Sequence, residues 1–261
     1  MVAGAFAGFA IFGAFVGLAA CSGKPRAEEA APRVPARGDA APAADAATVH
    51  VATGDLQIRV LWPDVPVTAR SSPGRTPCNT PRNPSVAPTT TWGVPGALVI
   101  VDGAAPSTAV AVARITLADC TLAPRTAVGS ALAITSAVDR PARLVLRKRG
   151  TVARLGQLVA GEPVTVMLPI AGHTVMAALD AGAIYSLETA AADPEVAFIA
   201  AVPSGYVTDA AGQIIARDLA AGPHAVTAWL PPRAGQPARI GHGTATVAAG
   251  ELAQLTVTLA Q

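Results

Sequence analysis

The chain has 261 residues, 51% of them hydrophobic and 14% charged, with a formal net charge of +2 at neutral pH. Its 24 Gly and 23 Pro make up about 18% of the chain, below the roughly 25–30% expected of a low-complexity polymer, so a collagen-like or wholly disordered chain is excluded. The small net charge and the 10 aromatic residues also argue against nucleic acid as a partner, which calls for a basic face and stacking platforms. Sixty residues are Ala, almost half of the hydrophobic fraction, and four of the five Phe (Phe6, Phe9, Phe12, Phe15) fall in the first 15 positions. The core beyond them is therefore poor in large side chains.

No charged side chain precedes Lys24, and the apolar run is interrupted by Gly4, Gly8, Gly13 and Gly17 before it ends in Leu18, Ala19, Ala20 and Cys21. These last four residues resemble the bacterial lipobox, in which small residues admit a peptidase to the bond ahead of a diacylated Cys. The resemblance implies a lipoprotein signal peptide over 1–20 and Cys21 as the lipidated N-terminus, its palmitate-type chains holding the protein on a membrane. Each buried methylene contributes about 0.8 kcal/mol, so two or more chains anchor stably where one does not. Ser22 rather than Asp after the Cys resembles lipoproteins sorted to the outer membrane, which sets the expected location in the cell envelope, facing the periplasm or the cell surface. The alternative is an uncleaved membrane helix with its G-x-x-x-G spacings as a dimerisation face, and the lack of a basic residue ahead of the run leaves it open. Residues 21–50 are rich in Ala and Pro with balanced charges (Lys24, Arg26, Arg33, Arg37 against Glu28, Glu29, Asp39, Asp45) and read as a tether.

From Gly54 onward the dominant period is two. Leu56, Ile58, Val60 and Trp62 alternate with Asp55, Gln57, Arg59 and Leu61 until Pro63 stops the strand. Similar runs lie at 97–101, 110–117, 132–135, 143–146, 164–168, 174–179, 183–187, 196–202, 213–216, 224–229 and 252–259, punctuated by Gly, Pro and Asp, with no convincing amphipathic helix. The expected fold class is all-β, a sandwich of short strands. Residues 71–91 show no alternation but carry Cys78. With Cys21 lipidated, Cys78 and Cys120 remain as an even pair, read in an exported protein as a disulfide, with free thiols serving as metal ligands the less supported alternative. Closing the loop of about 43 residues from Cys78 to Cys120 contributes on the order of 4 kcal/mol. Arg143, Arg147, Lys148, Arg149 and Arg154 form a basic cluster, read as a solvated hairpin turning at 147–150, with contact to acidic headgroups as the alternative.

Motifs for chemistry are missing: there is no G-x-x-x-x-G-K-[ST], no H-E-x-x-H and no G-x-S-x-G. His50, His173, His224 and His242 are far apart in sequence, and His173 and His242 sit in loop-like sequence. Neither a catalytic residue nor a cofactor is expected.

Gly54 to Trp62, Cys78, Gly96 to Val101, Cys120 to Pro124 and Gly129 resemble the opening of cupredoxin-like exported proteins. Tyr206 to Gly212 and Gly222 to Trp229 are similar to the recurrent segments of a carboxypeptidase-regulatory or transthyretin-like β-module. The resemblance implies a cupredoxin-like Greek-key sandwich over 51–196 and a small transthyretin-like module over 197–261. It also implies a type I copper site, whose first ligand follows an Asn-x-Asp-x-x-x-His pattern. Here Ala137, Asp139 and Arg143 occupy that pattern, and the expected Cys, His and Met fall on Thr189, Ala192 and Glu195. A thiolate and imidazoles are what such a site needs, so the resemblance implies a metal-free domain. The expected function is a non-catalytic, lipid-anchored envelope protein with a structural or binding role. One alternative is copper handling through His173, His224 and Glu195 or Asp193. The other is carbohydrate or polymer binding through Trp92 and Tyr206.

Overall fold

A computed structural model describes residues 52–72, 74–76, 78–82, 93–104, 112–202, 204–233 and 236–260, all within one compact unit, Val49–Gln261. Cys21, the expected signal peptide over 1–20, the expected tether over 21–50 and Trp92 lie outside the described residues.

Alternation builds the first strand. In β1 (Thr53–Leu61) Leu56, Ile58 and Val60 are fully buried while Asp55, Gln57 and Arg59 reach solvent. The partners of β1 lie far along the chain: β13 (Gln213–Ala220) runs antiparallel on one side and β16 (Leu252–Thr258) parallel on the other. Facing this sheet is a second, ordered β12 (Gly205–Val207), β2 (Leu98–Val101), β14 (Gly222–Leu230) and β15 (Arg239–Val247). Leu56, Ile58, Val60, Val99, Val101, Val226, Ala228 and Val257 close the core between them.

Between β2 and β12, residues 112–200 form another sandwich. Its sheets are ordered β4-β3-β6-β9 and β5-β11-β10-β7-β8. The strands are β3 (Val112–Ala118), β4 (Thr121–Ala123), β5 (Thr126–Val128), β6 (Ala131–Ser136), β7 (Ala142–Thr151), β8 (Pro163–Leu168), β9 (Thr174–Ala178), β10 (Ala183–Thr189) and β11 (Val196–Ala200). Ile115, Leu117, Leu132, Ile134, Leu144, Leu168, Leu187 and Ile199 fill it. β2 and β12 pair with each other, Ile100 opposite Gly205, so the second sandwich enters and leaves the first through adjacent strands.

A third core joins the sandwiches. Leu98 and Trp229, on the outer face of one sheet, meet Val128, Ile184, Phe198 and Ala200 of the other, with Leu155 beside them. Phe198 and Trp229 meet edge to face, ring centroids 5.6 Å apart, a geometry worth about 0.5–1.5 kcal/mol beyond the area it buries. Strands with both faces covered have no polar side to show, and for this reason 196–200 reads as a continuous apolar run.

The all-β sandwich expected from the sequence is what the chain forms, and four-residue α1 (Val67–Arg70) is the one α-helix among the described residues. The division into 51–196 and 197–261 does not match the pairing, because β1 and β2 hydrogen-bond with strands beyond residue 204. Local patterning carries no information about partners so distant. Two smaller expectations also change. The basic segment 147–150 is not a turn, since β7 continues through it to Thr151. Gly241, His242 and Gly243 lie in β15 rather than a loop; the two glycines leave room for Val257 and Leu255 of β16, so apolar side chains that would mark the strand come from its neighbour.

Cys78 and Cys120 are joined, as their parity suggested, their Cα atoms 5.7 Å apart. Cys120 sits in the two-residue turn between β3 and β4, where Asp119 and Cys120 both have positive φ (45° and 62°), the backbone twist that a tight hairpin favours. The bridge ties the 71–82 segment to the inserted sandwich.

Trp229→Ala should cost about 3–5 kcal/mol in urea unfolding. Trp229→Phe should cost much less, because the Trp229 N–H is buried without a hydrogen-bond partner among the described residues and the smaller ring gives up no bond. Equal losses for the two variants would show that ring volume is not what the third core uses.

Candidate functional site

The positions expected to have lost copper ligands fall at one end of the inserted sandwich. Arg143 is the second residue of β7, and Thr189 ends β10; both line a cleft of about 320 Å³ with Leu117, Cys120, Arg140 and Ala190. The Ala190 N–H donates to the Arg143 carbonyl at 3.2 Å. Thr189 and Glu195 close the intervening loop: the Thr189 N–H donates to the Glu195 carbonyl at 3.0 Å, and the Glu195 N–H to the Thr189 hydroxyl at 2.9 Å. Ala192 is exposed in that loop. Three of the four positions thus come together, while the side chains take other work. Arg143 reaches along the sheet to the Thr165 hydroxyl at 3.5 Å.

Glu195 turns inward, its side chain only 6% exposed, and meets Arg82, which is 4% exposed, at 2.6 Å. Its second oxygen lies 3.4 Å from Arg125. Arg82 also holds Asp193, through the carboxylate at 2.6 Å and the backbone carbonyl at 3.1 Å. Arg82 is presented by the segment that the disulfide secures, with its own N–H on the Gly74 carbonyl and its carbonyl taken by the Ser72 hydroxyl. Burying a charge is costly unless it is paired. This triad of Arg82, Glu195 and Arg125 is therefore what allows residues 78–82 to lie against the sandwich.

Beside the triad the interface between the sandwiches opens into a second cleft, of about 330 Å³. Its floor is the outer face of the β10 and β11 sheet (Ser186, Glu188, Val196, Phe198) with Arg149 from β7, and Pro231, Pro232 and Arg233, leaving β14, form a wall. Burial, reinforced by the charge of Arg125, pulls the Arg233 guanidinium down to about 10. Glu188 is held by Arg147 at 3.5 Å and by the Ser186 hydroxyl at 2.7 Å.

The remaining candidates are dispersed. His173 is exposed in the turn before β9, whereas His224 is buried in β14, Nδ1 and Nε2 facing the Asp102 and Ala220 carbonyls at 2.8 and 2.7 Å. No group of three or more His, Cys, Asp or Glu among the described residues is arranged to hold a metal ion. Tyr206 is not an open platform: it packs half-buried on the first core, and burial, with Asp218 nearby, pushes its phenol up. Its segment is turn chemistry. The Thr208 hydroxyl donates to the Val94 carbonyl at 2.6 Å and accepts from the Ala97 N–H at 2.9 Å. The Asp209 carboxylate accepts from the Ala211 and Gln213 N–H groups at 2.9 Å, and Gly212, at φ 73°, abuts Gly93 too closely for a Cβ on either.

Sequence reading missed Arg82, Arg125 and Arg233 altogether, and placed Arg149 only in a solvated cluster. These four are spread over 151 positions with no common spacing. No protein-family model, curated protein or solved structure matches this chain.

Glu195→Ala should destabilise by about 3–5 kcal/mol, because it removes the one buried carboxylate shared by Arg82 and Arg125 and leaves Arg82 only the exposed Asp193. Asp193→Ala, at a carboxylate that is 72% exposed, should cost less than about 1 kcal/mol. Chemical-denaturation midpoints would check the contrast; comparable losses would mean Arg82 draws its stability from elsewhere.

Proposed function

We propose that this chain is a non-catalytic binding or structural protein of the cell envelope, carried on the membrane through lipidated Cys21 and most consistent with the outer membrane. The observation that carries the non-catalytic, metal-free half is the state of Glu195. It is the one strong ligand type at the four expected metal positions, and its oxygens are taken by Arg82 and Arg125. Arg143 and Thr189 add no thiolate or imidazole there. The inserted sandwich over residues 112–200, with the chain crossing repeatedly between its two sheets and parallel pairs at β3 with β6 and β5 with β11, supports a cupredoxin-like reading of that part. The strands around it would then correspond to the regulatory-type module, completed by β1 and β2.

Copper handling through His173 and His224 finds less support, because the His224 nitrogens face backbone carbonyls. Sugar binding at Tyr206 is weakened by its packing on the core.

Two measurements test the proposal. Labelled palmitate should enter the protein and vanish in Cys21→Ala; unchanged membrane retention of that variant would favour a membrane helix instead. Titration with Cu(I) or Cu(II) should give no tight one-to-one complex, and a complex abolished by His224→Gln would overturn the metal-free reading.

A further inference from the structure

We infer that the cleft between the two sandwiches binds a small organic oxyanion, a phosphate ester with an apolar body, gripped by Arg149 and Arg233. The inference rests on the binding role proposed above and names its ligand. Copper uptake would sink the metal-free reading without touching this site, and failure of anion binding would leave the lipid anchor untouched.

The charges around the cleft do not balance. Arg82, Arg125, Arg149 and Arg233 line it, with Arg147 alongside, against Glu188, Asp193 and Glu195. All three carboxylates are engaged: Glu195 by Arg82 and Arg125, Asp193 by Arg82, and Glu188 by Arg147. Arg149 and Arg233 are left with no carboxylate in ion-pair range among the described residues, and the Arg149 Nε is buried without a hydrogen-bond partner. Two guanidiniums in a partly desolvated cleft, one of them repelled by Arg125, are stabilised by an anion between them. The planar fork of Arg matches the oxygens of a phosphate or carboxylate in pairs.

The rest of the lining selects what the anion is attached to. Val196, Phe198, Pro231 and Pro232 give an apolar wall next to the arginines. About 330 Å³ lies at the lower end of the roughly 300–1,000 Å³ of small-ligand sites. Inorganic phosphate would satisfy the arginines and leave that wall wet. An ester with a ring or short chain uses both, and it could be a free metabolite or the headgroup of an anionic lipid beneath the anchored protein.

The test is calorimetric titration of the full chain, in neutral detergent at low salt, with phenyl phosphate. We expect saturable one-to-one binding, weakened by added salt, tighter than for inorganic phosphate and absent for benzyl alcohol. Arg149→Gln and Arg233→Gln should each weaken it at least tenfold, whereas Arg217→Gln, on the exposed face of β13, should not. Affinity unchanged in both cleft variants, or no saturable binding, overturns the inference. Should the variants fail to fold, phenylglyoxal modification of the unsubstituted protein decides: protection of Arg149 and Arg233 by phenyl phosphate, read by mass spectrometry, supports the site, and equal modification with and without it overturns it. Protection by phosphatidylglycerol in the micelles, exceeding that by phenyl phosphate, would identify the lipid headgroup as the source; the reverse would identify a free ester.

Discussion

The third core is the constraint on which the rest of the molecule depends. Each sandwich buries its own inner faces, but the sheet containing β2 and β14 and the sheet containing β10 and β11 also carry apolar patches on their outer faces. Covering both at once requires that the sandwiches stack, and Trp229 against Phe198 is where they meet. The cleft exists because this contact stops short: once β14 ends, Pro231 to Arg233 diverge and the floor of the neighbouring sheet is uncovered. Charge occupies the place where apolar contact runs out.

How much of this the sequence discloses depends on the range of the interaction. The period of two in β1 comes from one strand between a core and solvent, so it is visible locally and identifies the fold class correctly. The cysteine pair is legible from parity. Domain layout is not, because the pairing of Leu56 with Ala216 on one side and Ala253 on the other leaves no mark on the residues in between. β15 is hidden for a different reason: its glycines exist to accommodate the side chains of β16. The four arginines of the cleft are each unremarkable where they stand, and only folding makes them neighbours.

The positions expected from the sequence to align with metal ligands are instructive in this light. Thr189 and Glu195 close a loop between β10 and β11, and Arg143 lies at the start of β7 beside it, one residue in. The scaffold of such a loop is backbone pairing, indifferent to which side chains it carries. Glu195 neutralises Arg82 and thereby helps to seat a segment that has no sheet of its own. A side chain at a site of expected chemistry thus serves packing, while an interface expected to serve packing alone carries surplus charge.

The pairing of β1 also dictates an order of assembly. Both of its neighbours lie near the far end of the chain, one antiparallel over 213–220 and one parallel over 252–258. Between residues 112 and 200, by contrast, every strand finds its partners within the same stretch. Contacts of long sequence separation form slowly because the loop must close before they return any energy. The inserted sandwich can therefore be complete while β1, with its row of Leu56, Ile58 and Val60, still waits unpaired, an open strand edge that invites association with other chains until the final strand arrives to cover it.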